Sequence, residues 1–351
     1  MNWLKRNPKK TLLALNLVIL LIAIIGFEAY LAGTGNYDTA FDKRYIRLRE
    51  PVPNSRIKDT TLPPHSVMRV DENGFIEPAR VHEDPDLQIV FLGGSTTECL
   101  IVEEEKRFPC LTGRALEQQT SLKVNAINCG CRGNHTAHSI NNLFNKILPL
   151  KPDYVVMMHN INDAVLLAYM GTYWNDHFTR GMIVKEHYSF LETVRQLMVN
   201  TVPNIYGFLK QRQWLDLDAL IHGQREDEWA MQREQQKEID PKELQKMFAA
   251  NLRTFVMICR NYDITPILMT QPCNPEEEAS MINQIRIADL HRDFNTIIRY
   301  IAREEGVHLI DLAKDITDPQ FFLDFVHFNN YGSTQVAKVI THNFLALLKK
   351  K

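Results

Sequence analysis

"LQIVFLGGSTTE", residues 87 to 98, is the stretch from which the fold can be read. Leu87, Ile89, Val90, Phe91 and Leu92 form a short run apolar on both faces, which stops at Gly93 and Gly94 and gives way to Ser95, Thr96 and Thr97. Such a run suits a strand covered by helices on both sides. In doubly wound sheets ligands bind beyond the carboxyl ends of the strands, so Ser95 stands where a substrate is met and is a candidate nucleophile. The competing reading is that these hydroxyls cap the helix that follows.

Four more runs repeat the pattern: "KVNAIN" (123–128), "YVVMMH" (154–159), "TPILMT" (265–270) and "VHLIDL" (307–312). Helical periodicity falls around 108–119, 136–148, 241–261, 279–305 and 331–349. Strand and helix in alternation imply right-handed crossovers and a parallel sheet of about five strands, an α/β, flavodoxin-like architecture. Residues 164–240 are too long for an ordinary connection and read as a helical insertion. Insertions at this edge form lids or substrate walls, and its apolar residues are expected to pack in the ordinary way rather than lie on a membrane.

Bulk properties exclude other classes. The 351 residues are 45% hydrophobic and 23% charged, as in a folded soluble domain, and a net charge of -2 gives no electrostatic footprint for nucleic acid. The N-terminus departs from this. Lys5, Arg6, Lys9 and Lys10 precede a run from Leu12 to Phe27 broken only by Asn16. A helix over Thr11–Leu31 has about the 20 residues that span a bilayer. A cleaved signal usually has a shorter apolar core and an Ala-x-Ala-like exit, which "EAYLAG" (28–33) matches poorly, so an uncleaved anchor is the preferred reading. Cations on the near flank and none between Gly33 and Asp42 keep the N-terminus cytoplasmic and send the rest outside, into the periplasm if the cell is Gram-negative.

The expected organisation is therefore a basic stub and anchor (1–32), a spacer packing on the domain (33–85) and a catalytic domain (86–351) with the insertion at about 164–240. In the spacer, Glu72, Asn73 and Gly74 supply the turn of a hairpin within "MRVDENGFIEPARV" (68–81). An oxidising compartment would permit pairing of the six cysteines, though each also suits a small buried hydrophobe.

Three further stretches reach the edge occupied by Ser95. "NCGCRGN" (128–134) brings Gly130 and Gly133, which let the backbone turn sharply and expose amides; "HNIND" (159–163) brings Asn160, Asn162 and Asp163; "DFVHFNNYGS" (324–333) sets Asp324 three residues before His327. A serine hydroxyl needs a base to take its proton, and the base needs a carboxylate to hold its tautomer. Ser95, His327 and Asp324 fit those parts. The amides of Ser95 and Gly133 and the side chain of Asn162 fit the oxyanion donors. Read singly, Asn162 is a turn former, Gly133 a bend, and Asp324 with His327 a cap. His135, His138 and His159 lie near the same edge, but a metal site there is the least favoured reading.

This order of blocks resembles the SGNH (GDSL-like) hydrolase family: "GGSTTE", "NCGCRGN", "NIND" and "DFVH" match its Ser, Gly, Asn and His blocks across about residues 86–348. The resemblance implies a flavodoxin-like sheet, no metal or organic cofactor, and transfer of an acyl group from an ester to water or another acceptor. It assigns Ser95 as nucleophile, His327 as base, Asp324 as its orienter, and Gly133 and Asn162 as oxyanion donors. Two positions depart from the pattern. Gly94 stands where many members have Asp, and Asn160 where Gly is usual, a position at which Asn would have to tolerate left-handed backbone angles. The expected function is a membrane-anchored serine esterase acting on an ester of a glycan or a lipid. The alternatives are an extracytoplasmic polysaccharide O-acyltransferase with the same site, and an inactive binding module of the same fold.

Overall fold

The computed structural model describes residues 7–34, 44–58, 67–78, 80–177, 179–185, 190–212, 214–217, 220, 239–280 and 285–349. Lys5 and Arg6 of the basic stub, and most of the charged stretch 222–240, lie outside the described residues. The chain divides into two compact units: Tyr45–Val184 with Asp218–Lys351, and Met1–Arg44 with Lys185–Leu217.

The larger unit is built on a five-stranded parallel sheet of β1 (Leu87–Gly93), β2 (Val124–Gly130), β3 (Tyr154–Met158), β4 (Thr265–Met269) and β5 (His308–Ile310). The strand order is β2-β1-β3-β4-β5, with Leu87 opposite Val124 and Ile89 opposite Tyr154. All five strands expected from the sequence are present, and the order is the flavodoxin-like one. The order switches at β1, and Ser95 follows that strand, the position at which doubly wound sheets bind their ligands.

Side-chain alternation explains why both faces of each strand are apolar. Leu87, Ile89 and Phe91 point to the layer holding α3 (Phe108–Thr120) and α10 (Asn330–Leu348), where they meet Phe108, Leu116, Val336, Ile340 and Phe344. Val90 and Leu92 point the other way, to α4 (Thr136–Asn142), α5 (Ile161–Met170), α8 (Pro241–Asn261) and α9 (Ile285–Glu304), against Leu167, Phe248, Phe255 and Phe294. Each fully buried large side chain contributes roughly 1.5–3 kcal/mol relative to exposure, which is why the register of this sheet has no slack.

The spacer turn falls where Glu72, Asn73 and Gly74 place it. Asp71 N donates to Phe75 O at 2.9 Å, Gly74 takes φ +74°, and Val70 bridges Ile76. The strand entering the turn, Val67–Arg69, pairs further with Arg56–Lys58.

In the smaller unit, α1 (Pro8–Thr34) carries a 20-residue stretch, Pro8–Phe27, long and apolar enough to cross a membrane, none of it buried. This unit also holds α6 (Phe190–Thr201) and α7 (Pro203–Gln211) of the insertion, and here the expectation of ordinary packing fails. Phe190 is 81% exposed, and Leu197, Ile205, Phe208 and Trp214 are exposed as well. Amphipathic periodicity shows that one face is apolar; it does not supply anything to cover that face.

Candidate active site

β1 ends at Gly93 and the chain turns at once into α2 (Ser95–Glu98), a single turn folded back over the sheet edge. The turn is tight because Gly93 pairs with Gly130 in β2, where an added Cβ would lie 2.2 Å from the Glu98 amide nitrogen. Gly130 therefore serves close approach rather than a sharp bend; among the glycines of this loop, Gly133 is the one at positive φ, +74°. The cap of α2 is Gly94, whose position makes no side-chain cap bond, so Ser95 is not spent on capping.

The Ser95 hydroxyl instead lies 2.7 Å from His327 Nε2. His327 Nδ1 lies 2.7 Å from Asp324 Oδ2 and 2.9 Å from Oδ1. An ionised carboxylate only accepts, so Nδ1 carries the proton and Nε2 is left to accept from Ser95 Oγ–H. Asp324 Oδ1 also accepts from the backbone N–H groups of Val326 (3.0 Å) and His327 (2.8 Å). The three-residue spacing thus builds an Asx turn that aims the carboxylate at its own histidine. Burial alone would raise the Asp324 pKa, but the bond and charge of His327 and the two backbone N–H groups hold it below the ordinary value. The pair does not cap the last helix; Asn329 does that, accepting from Tyr331 N and Gly332 N.

Asn162, at the start of α5, faces the same turn. An added Cβ on Gly94 would lie 2.4 Å from Asn162 Nδ2, and Nδ2 donates to Asn134 O at 2.8 Å. As the loops stand in this chain, a side chain at 94 would have to displace the Asn162 amide. Gly133 precedes Asn134, and among the described residues its N–H meets no backbone carbonyl. Ser95, at the first position of α2, has an N–H that the helix cannot satisfy. Asn160 departs from the expected left-handed turn. Its φ is -169°, extended backbone, and its Nδ2 donates to His291 O at 2.8 Å, tying α5 to α9.

Several contacts fix these loops. Thr96 Oγ accepts from Gln271 Nε2 at 2.8 Å, and Gln271 Oε1 accepts from Ile161 N at 2.8 Å, joining α2 to α5 through the end of β4. Buried Asp163 accepts from Thr136 N at 3.0 Å, Thr136 Oγ at 2.5 Å and Tyr173 OH at 2.6 Å, fastening α4 to α5. Burial raises its pKa to about 6 against these donors.

Sequence reading did not single out two arginines. Arg49, from the spacer, donates Nη2 to Arg132 O at 2.7 Å and lies over Gly133, 3.1 Å from where a Cβ would be. Arg180, from the insertion, donates Nη1 to Asn162 Oδ1 at 2.7 Å. No motif marks either one. The only available signal was the alternation "RLRE" (47–50) in an extended segment.

Of the three histidines near this edge two have a partner, while His138 stacks on His135 at 3.8 Å between ring centroids and has both ring nitrogens buried without a hydrogen-bond partner. Ser139 Oγ lies 2.6 Å from His159 Nε2, and Arg180 O lies 3.1 Å from His135 Nε2. Among the described residues no three His, Cys, Asp or Glu side chains form a metal-holding group. Asn134 is fully buried, and no disulfide joins the six cysteines, five of which are buried with pKa raised to about 11 or 12 by that burial. A groove of about 320 Å³ between α3 and α10, lined by Leu111, Ala115, Ala337 and Leu345, contains none of the site residues.

Solved structures similar to this chain include an acetylxylan esterase from Geobacillus stearothermophilus (15% identity, TM-score 0.44, covering 74% of this chain and 94% of that one). Others are the acetyl xylan esterase AlAXEase (19%, 0.44, 72% and 98%) and a lipase/acylhydrolase from Enterococcus faecalis (19%, 0.44, 73% and 94%). No curated protein matches. Residues 91–334, well over half the chain and spanning Ser95 through His327, match the GDSL-like lipase/acylhydrolase family, and the chain belongs to it as a serine hydrolase acting on esters.

Proposed function

We propose that Ser95 attacks the carbonyl of a carboxylic ester and carries the acyl group, and that water then releases it. The observation that carries this reading is the unbroken line from Ser95 Oγ to His327 Nε2 and from His327 Nδ1 to Asp324, each step 2.7 Å. His327 Nε2 takes the Ser95 proton as the Oγ–C bond forms. The carbonyl oxygen becomes an oxyanion and is met by the N–H groups of Ser95 and Gly133 and the free N–H of Asn162 Nδ2. Imidazolium forms beside an ionised Asp324, which stabilises it without taking its proton. Collapse breaks the ester C–O bond, and His327 returns the proton to the leaving alcohol. In the second half His327 draws a proton from the water that attacks acyl-Ser95, then passes it to Ser95 Oγ as the acyl–oxygen bond breaks, which frees the acid and restores the serine hydroxyl.

The hydrophobic α1 supports retention as an anchor, with four cations on its near side and the catalytic domain outside the cytoplasm. A domain held there meets O-acylated envelope glycans, and we assign it to such esters, acetyl groups first. The formed triad supports an enzyme over an inactive binding module.

Full-length protein in mild detergent is expected to react with a fluorophosphonate probe, and Ser95→Ala to abolish labelling. Labelling that persists in Ser95→Ala, or is absent from the wild type, overturns the reading. Aryl esters of rising acyl length then test the substrate: activity greatest on acetyl supports a glycan ester, and activity that climbs with chain length rejects it. Free acid forming faster than acylated sugar, when a sugar acceptor is supplied, supports hydrolysis over transfer.

A further inference from the structure

We propose that Arg49 and Arg180 are positioning residues that charge the oxyanion hole from behind, each donating to the carbonyl end of an amide whose N–H end faces Ser95. The inference rests on the acyl-transfer reading above and goes beyond it. Arg49 Nη2 bonds Arg132 O, and the other end of that same peptide unit is the Gly133 N–H. Arg180 Nη1 bonds Asn162 Oδ1, and the other end of that amide is Asn162 Nδ2. Two donors of different origin, one backbone and one side chain, share the same arrangement at the same distance, 2.7 Å.

The physical effect has two parts. A cation on an amide oxygen draws electron density along the O–C–N unit and makes the N–H a stronger donor, because linked hydrogen bonds polarise one another. It also fixes the amide plane. Asn162 Nδ2 has two hydrogens; one goes to Asn134 O, and with Oδ1 held by Arg180 the second is left facing the Gly94–Ser95 turn. Gly133 is constrained likewise: the Arg49 guanidinium occupies the space where a side chain at 133 would sit.

The arginines are themselves held. Arg49 O accepts from Asn134 Nδ2 (3.1 Å) and Asn142 Nδ2 (2.8 Å), and Arg47 O accepts from Asn141 Nδ2 (3.2 Å). Glu50 is paired with Lys146. The segment carrying Arg49 is bonded to the segment carrying Arg180, Arg47 N to Met182 O at 2.8 Å, and Arg180 O is fixed by His135. The Arg49 Nη1 atom is buried without a hydrogen-bond partner, so this charge is poorly solvated where it stands. Burial, together with the charges of Arg47 and Arg180, lowers the Arg49 pKa, and the Cys131 thiol opposes this. A partly buried cation behind a donor acts on a developing anion with less screening than in bulk water.

The test is a mutant cycle on the full chain, with active sites counted by fluorophosphonate titration so that misfolded protein does not enter the rate. Arg49→Met and Arg180→Met are each expected to lower kcat about tenfold with KM within about twofold, and to weaken binding of an alkylboronic acid, a mimic of the tetrahedral adduct, by the same factor. Lysine at either position keeps the charge and is expected to recover part of the loss. In an Asn162→Ala background, Arg180→Met is expected to cost less than about threefold, whereas Arg49→Met keeps its full cost, because the Gly133 amide is still present. Loss that appears in KM or thermal stability alone, with kcat per active site unchanged, overturns the inference, as does an Arg180→Met loss that is undiminished without Asn162. Turnover that survives Ser95→Ala overturns the acyl-transfer reading itself and this inference with it; turnover abolished by Ser95→Ala with wild-type kcat in both arginine variants overturns this inference alone.

Discussion

The larger unit contains two sets of serine, histidine and aspartate, and they behave in opposite ways. In one, Ser95, His327 and Asp324 are joined by two bonds of 2.7 Å, and the Asp324 side chain is 54% exposed. In the other, Ser139 Oγ lies 2.6 Å from His159 Nε2, but His159 Nδ1 stands 3.9 Å from Asp163 Oδ2, beyond hydrogen-bond reach, and all three residues are buried. The Asp163 oxygens are already taken by Thr136 and Tyr173. Burial drives the His159 pKa down to about 3, so this ring cannot hold the proton a general base must accept. Residue identity is therefore a weak guide to chemistry. What separates the sets is access for a substrate and a carboxylate free to face the imidazole.

Replacing the two serines should widen that contrast most. Ser95→Ala is expected to lower kcat by roughly 10⁴–10⁶, the range seen when a serine protease loses its nucleophile, while Ser139→Ala leaves ester turnover within about threefold. Comparable losses from the two substitutions, read as initial rates on an aryl acetate, would erase the distinction. The aspartates come next. Asp324→Asn keeps the shape but turns an acceptor into a donor toward His327 Nδ1, which selects the wrong tautomer at a cost of about 10⁴ in kcat. A loss under tenfold would remove Asp324 from the proposed triad.

Asn162 lies between the two sets, next in sequence to Asp163 and next in space to Gly94. Asn162→Ala removes one oxyanion donor and is expected to cost about 10²–10³ in kcat with KM little changed. A loss confined to KM would make it a residue that binds substrate and transition state alike.

The sheet was legible because its strands are apolar on both faces and each carries a short, bounded run; "LQIVFLG" is β1 residue for residue. The meeting of Ser95, Asp324 and His327 was legible for a related reason. Each member follows a strand or precedes the last helix, so sequence order already assigns it to one edge of the sheet. Arg49 and Arg180 were not legible, since they act on amide oxygens through single bonds from irregular segments, and no periodicity records where an extended chain will be pinned by Asn134, Asn141 and Asn142. The exposed faces of α6 and α7 illustrate the reverse limit, in which a clear amphipathic pattern names a buried face without naming its cover.

The smallest expected effect separates the two aspartates by sign. Asp324, whose folded pKa is lowered, adds stability that is present above its unfolded value near 3.8 and lost as pH falls through the folded value. Asp163 is raised, from 3.8 to about 6, chiefly by burial, so between those values the native state holds a proton the unfolded chain has released. Its contribution is full below about pH 4 and declines as pH rises through about 6, by on the order of 3 kcal/mol in total at roughly 1.4 kcal/mol per unit of pKa. Asp163→Asn cannot ionise and removes that slope. The stability of the wild type relative to this variant, measured by urea unfolding of the full chain in mild detergent, should therefore fall between pH 4 and pH 7. A difference that is flat, or that rises with pH, would mean that Thr136 and Tyr173 hold Asp163 as a carboxylate at no cost, and the buried set would then differ from the exposed one in access and in the 3.9 Å gap between His159 and Asp163, not in the charge of its carboxyl.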